Sequence, residues 1–236
     1  MTKSIFLFIG LFFASSFVYS APTIAVTGLA LETEVTGYFT ETEVSYHAES
    51  DSSRNKEGRS YEKERELDLN QVTKYETKFR RSHLQKFVSD IRGGLVKSEY
   101  FDVVQVTPPK EPESSQELFD VLSRVKAGDF NGADFVLFGT LTAIDAQDQV
   151  NEIIGSNAYS YALEIQVVAD FSLINTVTNE VIASFSALGE GDDMKLTKAG
   201  NKVRPSFAKA IRNVSKSLAE DVLMNIEDQS FEVKLK

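Results

Sequence analysis

The residue types that carry most enzyme chemistry are sparse and scattered in this sequence. Cysteine is absent, and the two histidines, His47 and His83, are separated by a long polar segment. Neither histidine belongs to a His-x-x-x-His spacing, so the sequence predicts no zinc site. A serine nucleophile on a sharp strand-to-helix turn needs a Gly-x-Ser-x-Gly motif, which the sequence lacks. We interpret both histidines as surface or capping residues.

Carboxylates could also form a metal or catalytic site, but they follow no recognised motif in this sequence. The segment Gly189-Glu190-Gly191-Asp192-Asp193 could hold Ca²⁺ through its oxygens, but it lacks the twelve-residue calcium-loop pattern. We predict a solvated loop at a strand end there, with Asp192 and Asp193 as the remaining pair for an unrecognised carboxylate site. A further acidic group is predicted to form a hairpin tip: Asp145, Asp148 and Glu152. The sequence therefore predicts no catalytic, cofactor-binding or metal-ligating residues, and no enzyme.

The first residues have the pattern of a removable export signal. Lys3 precedes an apolar run over residues 5–14, and small side chains follow up to Ser20. This run is too short for a membrane anchor, because crossing the hydrocarbon core takes about 20 apolar residues. We predict a signal peptide at 1–20 with cleavage after Ser20 or Ala21, and no later transmembrane helix.

Composition restricts what an exported protein of this kind can be. Without cysteine the chain has no disulfides and no site for a lipid anchor after its signal, so it must be held together by an ordinary hydrophobic core. The formal net charge is −10. This acidity argues against binding to nucleic acid or to anionic lipid. The predicted location is the periplasm, without lipidation.

Three helices are predicted from apolar spacing and capping residues. The first begins at a capping box at 82–85 and includes Gly93 and Gly94, which we interpret as packing or bending positions. The second follows a cap at 114–117, ends at Gly128, and buries a stripe of Leu118, Leu122 and Val125. The third begins near Pro205 and has the longest apolar stripe: Phe207, Ile211, Val214, Leu218, Val222 and Ile226.

Strands are predicted between these helices. Residues 23–29 form an opening strand, 101–106 a short one, and 133–141 one that is covered on both faces. Strict alternation over 159–174 predicts a long strand with odd positions buried, and a turn at Asn179 leads to a partner from Val181.

These elements predict an α+β (α/β layered) class: a mixed β-sheet with about three packed helices. Residues 21–40 supply the first strand and an extension. The segment 41–66 is predicted to be a polar flexible arm or loop, because it has too few apolar residues to offset its ordering entropy. A short ribbon from residues 35–46 is the alternative for its beginning. Residues 67–236 complete a single domain.

Several of these segments resemble the curli-secretion CsgG family and its relatives, the LpoB-type activators of penicillin-binding proteins. The resemblance rests on Gly132–Thr140, on Phe171–Thr176 at the end of the long strand, on Thr178–Val181, and on the amphipathic terminal helix around Ser217–Val222. It covers roughly residues 82–228. It implies a domain like the TolB N-terminal domain, a periplasmic location, and a function in binding envelope proteins.

The chain also departs from that family. The family's lipid-bearing cysteine is missing, and Asn179 stands where a glycine is common. The connections at 141–159 and 188–205 are too short or too charged for the family's membrane-inserted hairpins, so a pore former is not expected.

The leading hypothesis is a non-enzymatic periplasmic adaptor or activator. Its partners would be other envelope proteins, such as a penicillin-binding protein or an outer-membrane assembly component, bound through the arm at 41–66 and the charged loop at 190–204. The alternative is a ring-forming subunit of an outer-membrane secretion or flagellar assembly, which would make the chain a homo-oligomer.

Overall fold

Three long antiparallel strands form the centre of the structure, a computed structural model that describes residues 21–31, 38–48, 65–74, 81–105, 120–156, 158–198 and 204–233. They are β5 (Phe135–Ile153), β6 (Ala158–Asn175) and β7 (Val181–Lys198). β6 pairs with both neighbours over nearly its whole length. The predicted long strand is confirmed, because its odd positions are buried except for a half-buried Leu163. The turn at Asn179 is also confirmed, since this residue has φ of 61°.

Four further strands lie on the other edge of β5. They are β1 (Thr23–Leu31), β2 (Tyr38–Ala48), β3 (Arg65–Lys74) and β4 (Asp102–Val103). β1 runs parallel to the first half of β5, with β4 parallel beyond it. β2 runs parallel to β5 near Asp145, with β3 antiparallel beyond it. The register of β5 against β6 shifts between Leu141 and Ala143, where a bulge accommodates the change of neighbour.

Among the described residues, three helices pack on this sheet: α1 (Arg81–Ser98), α2 (Val121–Ala127) and α3 (Phe207–Val233). α1 and α3 share one core cluster with the inner strands, and we call the side that they cover the helix face. α2 packs on the opposite side, where Val121 and Val125 meet Val136 and Ile174. Because Val136 and its neighbour Leu137 are both buried, β5 begins as a strand covered on both faces, as predicted.

The apolar stripe of α3 forms the largest helix contact with the sheet. Its predicted members are buried, apart from a half-buried Phe207 at the start: Ile211, Val214, Leu218, Val222 and Ile226. The stripe repeats every three or four residues, which keeps it on one side of a helix with 3.6 residues per turn. The prediction of a long one-sided docking surface is confirmed.

The second predicted helix is correct at its end and wrong in its buried stripe. Gly128 ends α2 with φ of 83°, the left-handed conformation that glycine tolerates. Leu122 was predicted to be buried but is 40% exposed, whereas Val121 is 4% exposed. The helix begins after Asp120, whose carboxylate accepts a hydrogen bond from the Ser123 N–H at 3.3 Å. The cap predicted at 114–117, and Leu118, lie outside the described residues.

The segment predicted as a polar arm or loop, 41–66, is strand at both of its ends. Residues 41–48 belong to β2 and residues 65–66 to β3, and these strands pair with each other. The backbone of residues 41–48 pairs with β3, and residues 38–40 of the same strand pair with β5, so hydrogen bonds to neighbouring strands hold this ribbon in place. The loop prediction is wrong for these two pieces, and the ribbon alternative is correct for residues 38–46. Residues 49–64 and the predicted signal at 1–20 lie outside the described residues.

The charged loop predicted at 190–204 is also wrong over its first half, because β7 continues to Lys198. The glycines that indicated a loop serve helix packing instead. A Cβ at Gly191 would collide with the Ala210 carbonyl oxygen and the Val214 backbone nitrogen of α3. The predicted α+β class, a mixed sheet with about three packed helices, is confirmed.

Candidate functional site

The acidic pair that the sequence offered as a carboxylate site is divided by the sheet. Asp192 and Asp193 are successive residues of β7, so their side chains point to opposite faces. Asp192 is exposed, whereas Asp193 is fully buried on the helix face. Two carboxylates on opposite faces cannot share a metal ion or a substrate. The prediction of a solvated loop here, and the calcium alternative, are both wrong.

Asp193 anchors the beginning of α3 to the sheet. Its carboxylate accepts a hydrogen bond from the Lys209 ammonium at 2.7 Å and another from the Ser206 backbone N–H at 2.7 Å. Lys195 adds an ion pair at 3.5 Å. The Lys209 and Ser206 hydrogen bonds lower the pKa of Asp193 to about 2 against the opposing effect of burial. This arrangement fixes a helix and has no opening to solvent at the carboxylate, so its role is structural.

The acidic group predicted at a hairpin tip lies within β5 instead. Asp148 is buried and accepts a hydrogen bond from the Tyr161 hydroxyl at 2.9 Å. The turn comes later, at residues 154–156, where Ile154 is 97% exposed. β5 continues well beyond the apolar run at 133–141, because it stays paired with β6 as far as Ile153. The hairpin turn therefore comes after the three acidic residues.

A polar cluster that sequence reasoning missed joins α1 to α3. Ser215 is fully buried and donates a hydrogen bond to the Asp90 carboxylate at 2.5 Å, and Lys86 lies 2.9 Å from the same oxygen. Burial raises the pKa of Asp90, but the hydrogen bonds from Ser215 and Lys86 outweigh it and the net pKa is lowered. Asp90 falls between the apolar positions of its helix, so only the tertiary fold brings it to Ser215.

Histidine and glycine positions follow from packing. His83 is half-buried with its ring 5.9 Å from that of Phe207, so it lies at the junction of α1 and α3.

A Cβ at Gly94 would press on Leu223 of α3, which confirms a packing position, whereas a Cβ at Gly93 would meet no atom within 4 Å. The His47 side chain lies outside the described part of the structure.

Helix α3 also protects part of the outer edge of β7. The Leu188 N–H donates to the Asp221 carboxylate at 2.7 Å, and the Glu190 N–H donates to the Ser217 hydroxyl at 3.2 Å. The Asn213 amide donates to the Asp192 carbonyl oxygen at 3.0 Å. Four helical residues rise about 6 Å and two strand residues about 6.7 Å, so the two ladders stay in step. We call these three side chains, Asn213, Ser217 and Asp221, the edge guard.

The face of β5–β6–β7 opposite α1 and α3 is the candidate functional surface. Beyond the part covered by α2, its side chains are exposed or half-buried, and we call it the open face. It carries a band of carboxylates contributed by all three strands: Asp145, Glu164, Asp170, Glu190 and Asp192. Glu164 stands directly opposite Asp192 in the pairing of β6 with β7.

Glutamines and a serine hold parts of this band in place. Gln147 donates to Asp145 at 2.8 Å, Gln166 donates to Glu190 at 3.1 Å, and Ser186 donates to Asp170 at 2.5 Å. These bonds hold the carboxylates in fixed orientations at the surface of a paired sheet. The open face therefore presents fixed negative charge on a rigid support.

The open face also carries exposed apolar side chains towards the end where β5 turns into β6. Met194 and Leu196 of β7 are 56% and 65% exposed, and Ile153 of β5 is 38% exposed. Exposed large apolar side chains are frequent in protein-binding surfaces. Carboxylates and exposed apolar side chains are the groups that charged protein-binding surfaces use.

Two further observations concern metal binding and membrane crossing. Within the residues that the structure describes, no group of three or more His, Cys, Asp or Glu side chains is placed to hold a metal ion. Among the described helices, none is both long enough and apolar enough to cross a membrane.

Comparisons with known proteins give no family. No protein-family model matches the chain, and no curated protein matches it. Solved structures are similar only at a distance. A PelC dodecamer from Paraburkholderia phytofirmans is 14% identical, with 87% of each chain covered and a TM-score of 0.38. Lipoprotein GNA1162 from Neisseria meningitidis is 12% identical, with 88% of this chain and 99% of that chain covered and a TM-score of 0.39.

A third solved structure, the hypothetical protein CT253 from Chlamydia trachomatis, is 9% identical, with 91% of this chain and 96% of that chain covered and a TM-score of 0.39. At TM-scores below 0.5 these likenesses carry no conclusion about what the chain does.

Proposed function

We propose that this chain is an exported, non-enzymatic protein of the cell envelope that works by binding other envelope proteins, as an adaptor or activator in envelope biogenesis. The observation that carries the proposal is the open face. It combines an oriented acidic band with exposed apolar side chains on a rigid sheet.

The composition of this surface favours a partner with a complementary patch. Carboxylates such as Glu164 and Glu190 attract a basic surface and speed its diffusional encounter, and Met194 and Leu196 offer apolar contacts for the final docked state. Because β5, β6 and β7 are hydrogen-bonded along their length, the surface loses little conformational entropy on binding. We therefore expect a basic partner patch that contains apolar anchors.

The sequence supports an envelope location for this partner. Residues 1–20 have the pattern of an export signal, and residues 132–140 and 171–181 resemble the CsgG and LpoB-type family. By that resemblance the partner class is a penicillin-binding protein or an outer-membrane assembly component.

Site-directed photo-crosslinking in intact cells tests the proposal. A photoreactive residue at Gln166, in the centre of the open face, should form an adduct with an envelope protein that mass spectrometry identifies. The same residue placed at Lys216, exposed on α3, should not form that adduct. Reversing charge on the open face with Glu164→Lys and Glu190→Lys should reduce the yield at Gln166 several-fold, because the electrostatic attraction is inverted.

Glu220→Lys is the matched control, since it reverses an exposed charge on α3 and should leave the adduct unchanged. Equal adducts from Gln166 and Lys216, or no adduct with any other envelope protein, would contradict the proposal. An adduct between two copies of this chain would not support it.

A further inference from the structure

We propose that two copies of this chain pair antiparallel along the outer edge of β7 at residues 192–198, which joins their sheets into one. The pairing is argued from this edge alone and stands independently of the envelope partner proposed above.

The edge of β7 changes character at Asp192. The edge guard bonds the outward backbone groups of Leu188, Glu190 and Asp192. In an antiparallel ladder every second residue turns its N–H and C=O outward, so Met194 and Leu196 continue the same outward series.

The guard cannot continue along this series, because α3 begins at Phe207 and its start is fixed beside Asp193. In the described part of the chain, no side chain bonds the backbone of Met194 or Leu196. These residues therefore present unpaired strand backbone, with their side chains more than half exposed.

The sequence of this edge is complementary to itself. Its outward residues read acidic, apolar, apolar, basic: Asp192, Met194, Leu196 and Lys198. In an antiparallel pair centred on Lys195, Asp192 of each copy stands opposite Lys198 of the other, and Met194 stands opposite Leu196. Directly opposite side chains are close enough to interact, and both pairings are favourable.

Other registers lose this match. Moving the centre to Met194 places Asp192 opposite the apolar Leu196, and it requires Glu190, whose N–H already donates to Ser217, to pair with Lys198. Moving it to Leu196 places Lys198 opposite Met194. Because the register centred on Lys195 satisfies the charges and the apolar residues together, the occupant that fits this edge is a second copy, related by a two-fold axis.

The helix face of the same pair carries one opposing effect. Lys195 would stand opposite its own copy, and like charges directly across a ladder repel. Each Lys195 ammonium already lies 3.5 Å from Asp193 of its own chain, which offsets part of the repulsion. We therefore expect reversible self-association that depends on concentration.

Charge exchange between copies tests the register. Asp192→Lys and Lys198→Asp each place like charges opposite one another twice, and each should weaken self-association of the purified protein at least about tenfold in sedimentation velocity. An equimolar mixture of the two variants should form a heterodimer with close to the original affinity, because every charged pair is again opposite in sign. Rescue by mixing cannot come from misfolding of either variant.

Leu196→Pro gives a second test. Proline removes an N–H that points outward and leaves the ladder with β6 intact, so self-association should be lost while the melting temperature changes little. A protein that stays monomeric at several hundred micromolar, or a dimer insensitive to both the charge exchange and Leu196→Pro, would overturn the proposal. A monomer whose Leu196→Pro variant instead loses its adduct with an envelope protein would assign the edge to that partner and also overturn it.

Discussion

The backbone N–H of Leu188 donates a hydrogen bond to the side chain of Asp221 at 2.7 Å, so a helix residue occupies a position where a neighbouring strand would bind. Ser217 and Asn213 repeat this relationship along β7. Protection of the sheet edge is thus built into one face of α3, and it stops where the helix begins.

Removing two side chains of the edge guard should speed hydrogen exchange at the backbone amides that they bond. In Ser217→Ala with Asp221→Ala, we expect the Glu190 and Leu188 amides to exchange hydrogen about fivefold faster or more, because each loses a bond worth about 1 kcal/mol. The amides of Ala187 and Gly189 point towards β6 and should keep their protection. Glu220→Ala, on the exposed side of the helix, is the control, and equal acceleration along the whole of β7 would contradict the guard.

Gly191 should not tolerate a side chain. Gly191→Ala is expected to lower the free energy of unfolding by about 1–3 kcal/mol or more, because the added methyl group meets the backbone of α3 at Ala210 and Val214. Gly93→Ala should raise it by about 0.5–1 kcal/mol, since its methyl group enters open space on a helix. Chemical denaturation of both variants measures the difference, and equal effects would contradict the packing of α3 on β7.

The Asp193 anchor should make stability depend on pH in the acid range. The pKa of this carboxyl is about 2 in the folded protein, against about 3.9 in an unfolded chain. A lowered folded pKa adds stability above the unfolded value, and this stability is lost as pH falls through about 4 towards 2. The urea midpoint of wild type should therefore exceed that of Asp193→Asn near neutral pH, and the difference should shrink towards pH 2.

Lys209→Gln should narrow the pH range over which this stability is lost, because it removes the largest cause of the lowered pKa of Asp193. Glu220→Gln is the control for Asp193→Asn, because it also removes one negative charge but from an exposed position. A constant difference between wild type and Asp193→Asn from pH 7 to pH 2 would rule out the ionised anchor.

The buried Ser215 hydroxyl should contribute both stability and carboxylate acidity. Ser215→Ala is expected to cost about 1 kcal/mol and to raise the pKa of Asp90, because the hydroxyl donates to the ionised form. Carboxyl chemical shifts followed against pH measure the second effect. Ser89→Ala removes an exposed hydroxyl on the same helix as Asp90 and should change neither quantity appreciably.

Some elements of the fold are determined by residues that are close in sequence, and these could be predicted from local patterns. The alternation of β6, the long stripe of α3 and the left-handed positions at Gly128 and Asn179 all depend on residues a few positions apart. These predictions could therefore be made from the sequence.

The second half of β7 could not be predicted in the same way. Gly191 and Asp193 are residue types that are common in turns. Both residues instead make contacts with α3, which is distant in sequence. The strand pairing of residues 41–48 was missed for a related reason, since it consists of backbone bonds with β3, and residues 38–40 join the same ribbon to β5. The open face became recognisable only when three strands brought their carboxylates together.

The order of β7 and α3 along the chain has a consequence for biogenesis. The strand is synthesised before the helix that guards its edge, so the outer edge of β7 lacks this protection until α3 has formed, and an unprotected strand edge is prone to aggregation. A chain that stops between residues 198 and 207 would keep β7 but lack its guard permanently. The edge of β7 is therefore protected only after residues up to Asp221 have been synthesised, and a pause before that point would prolong its exposure.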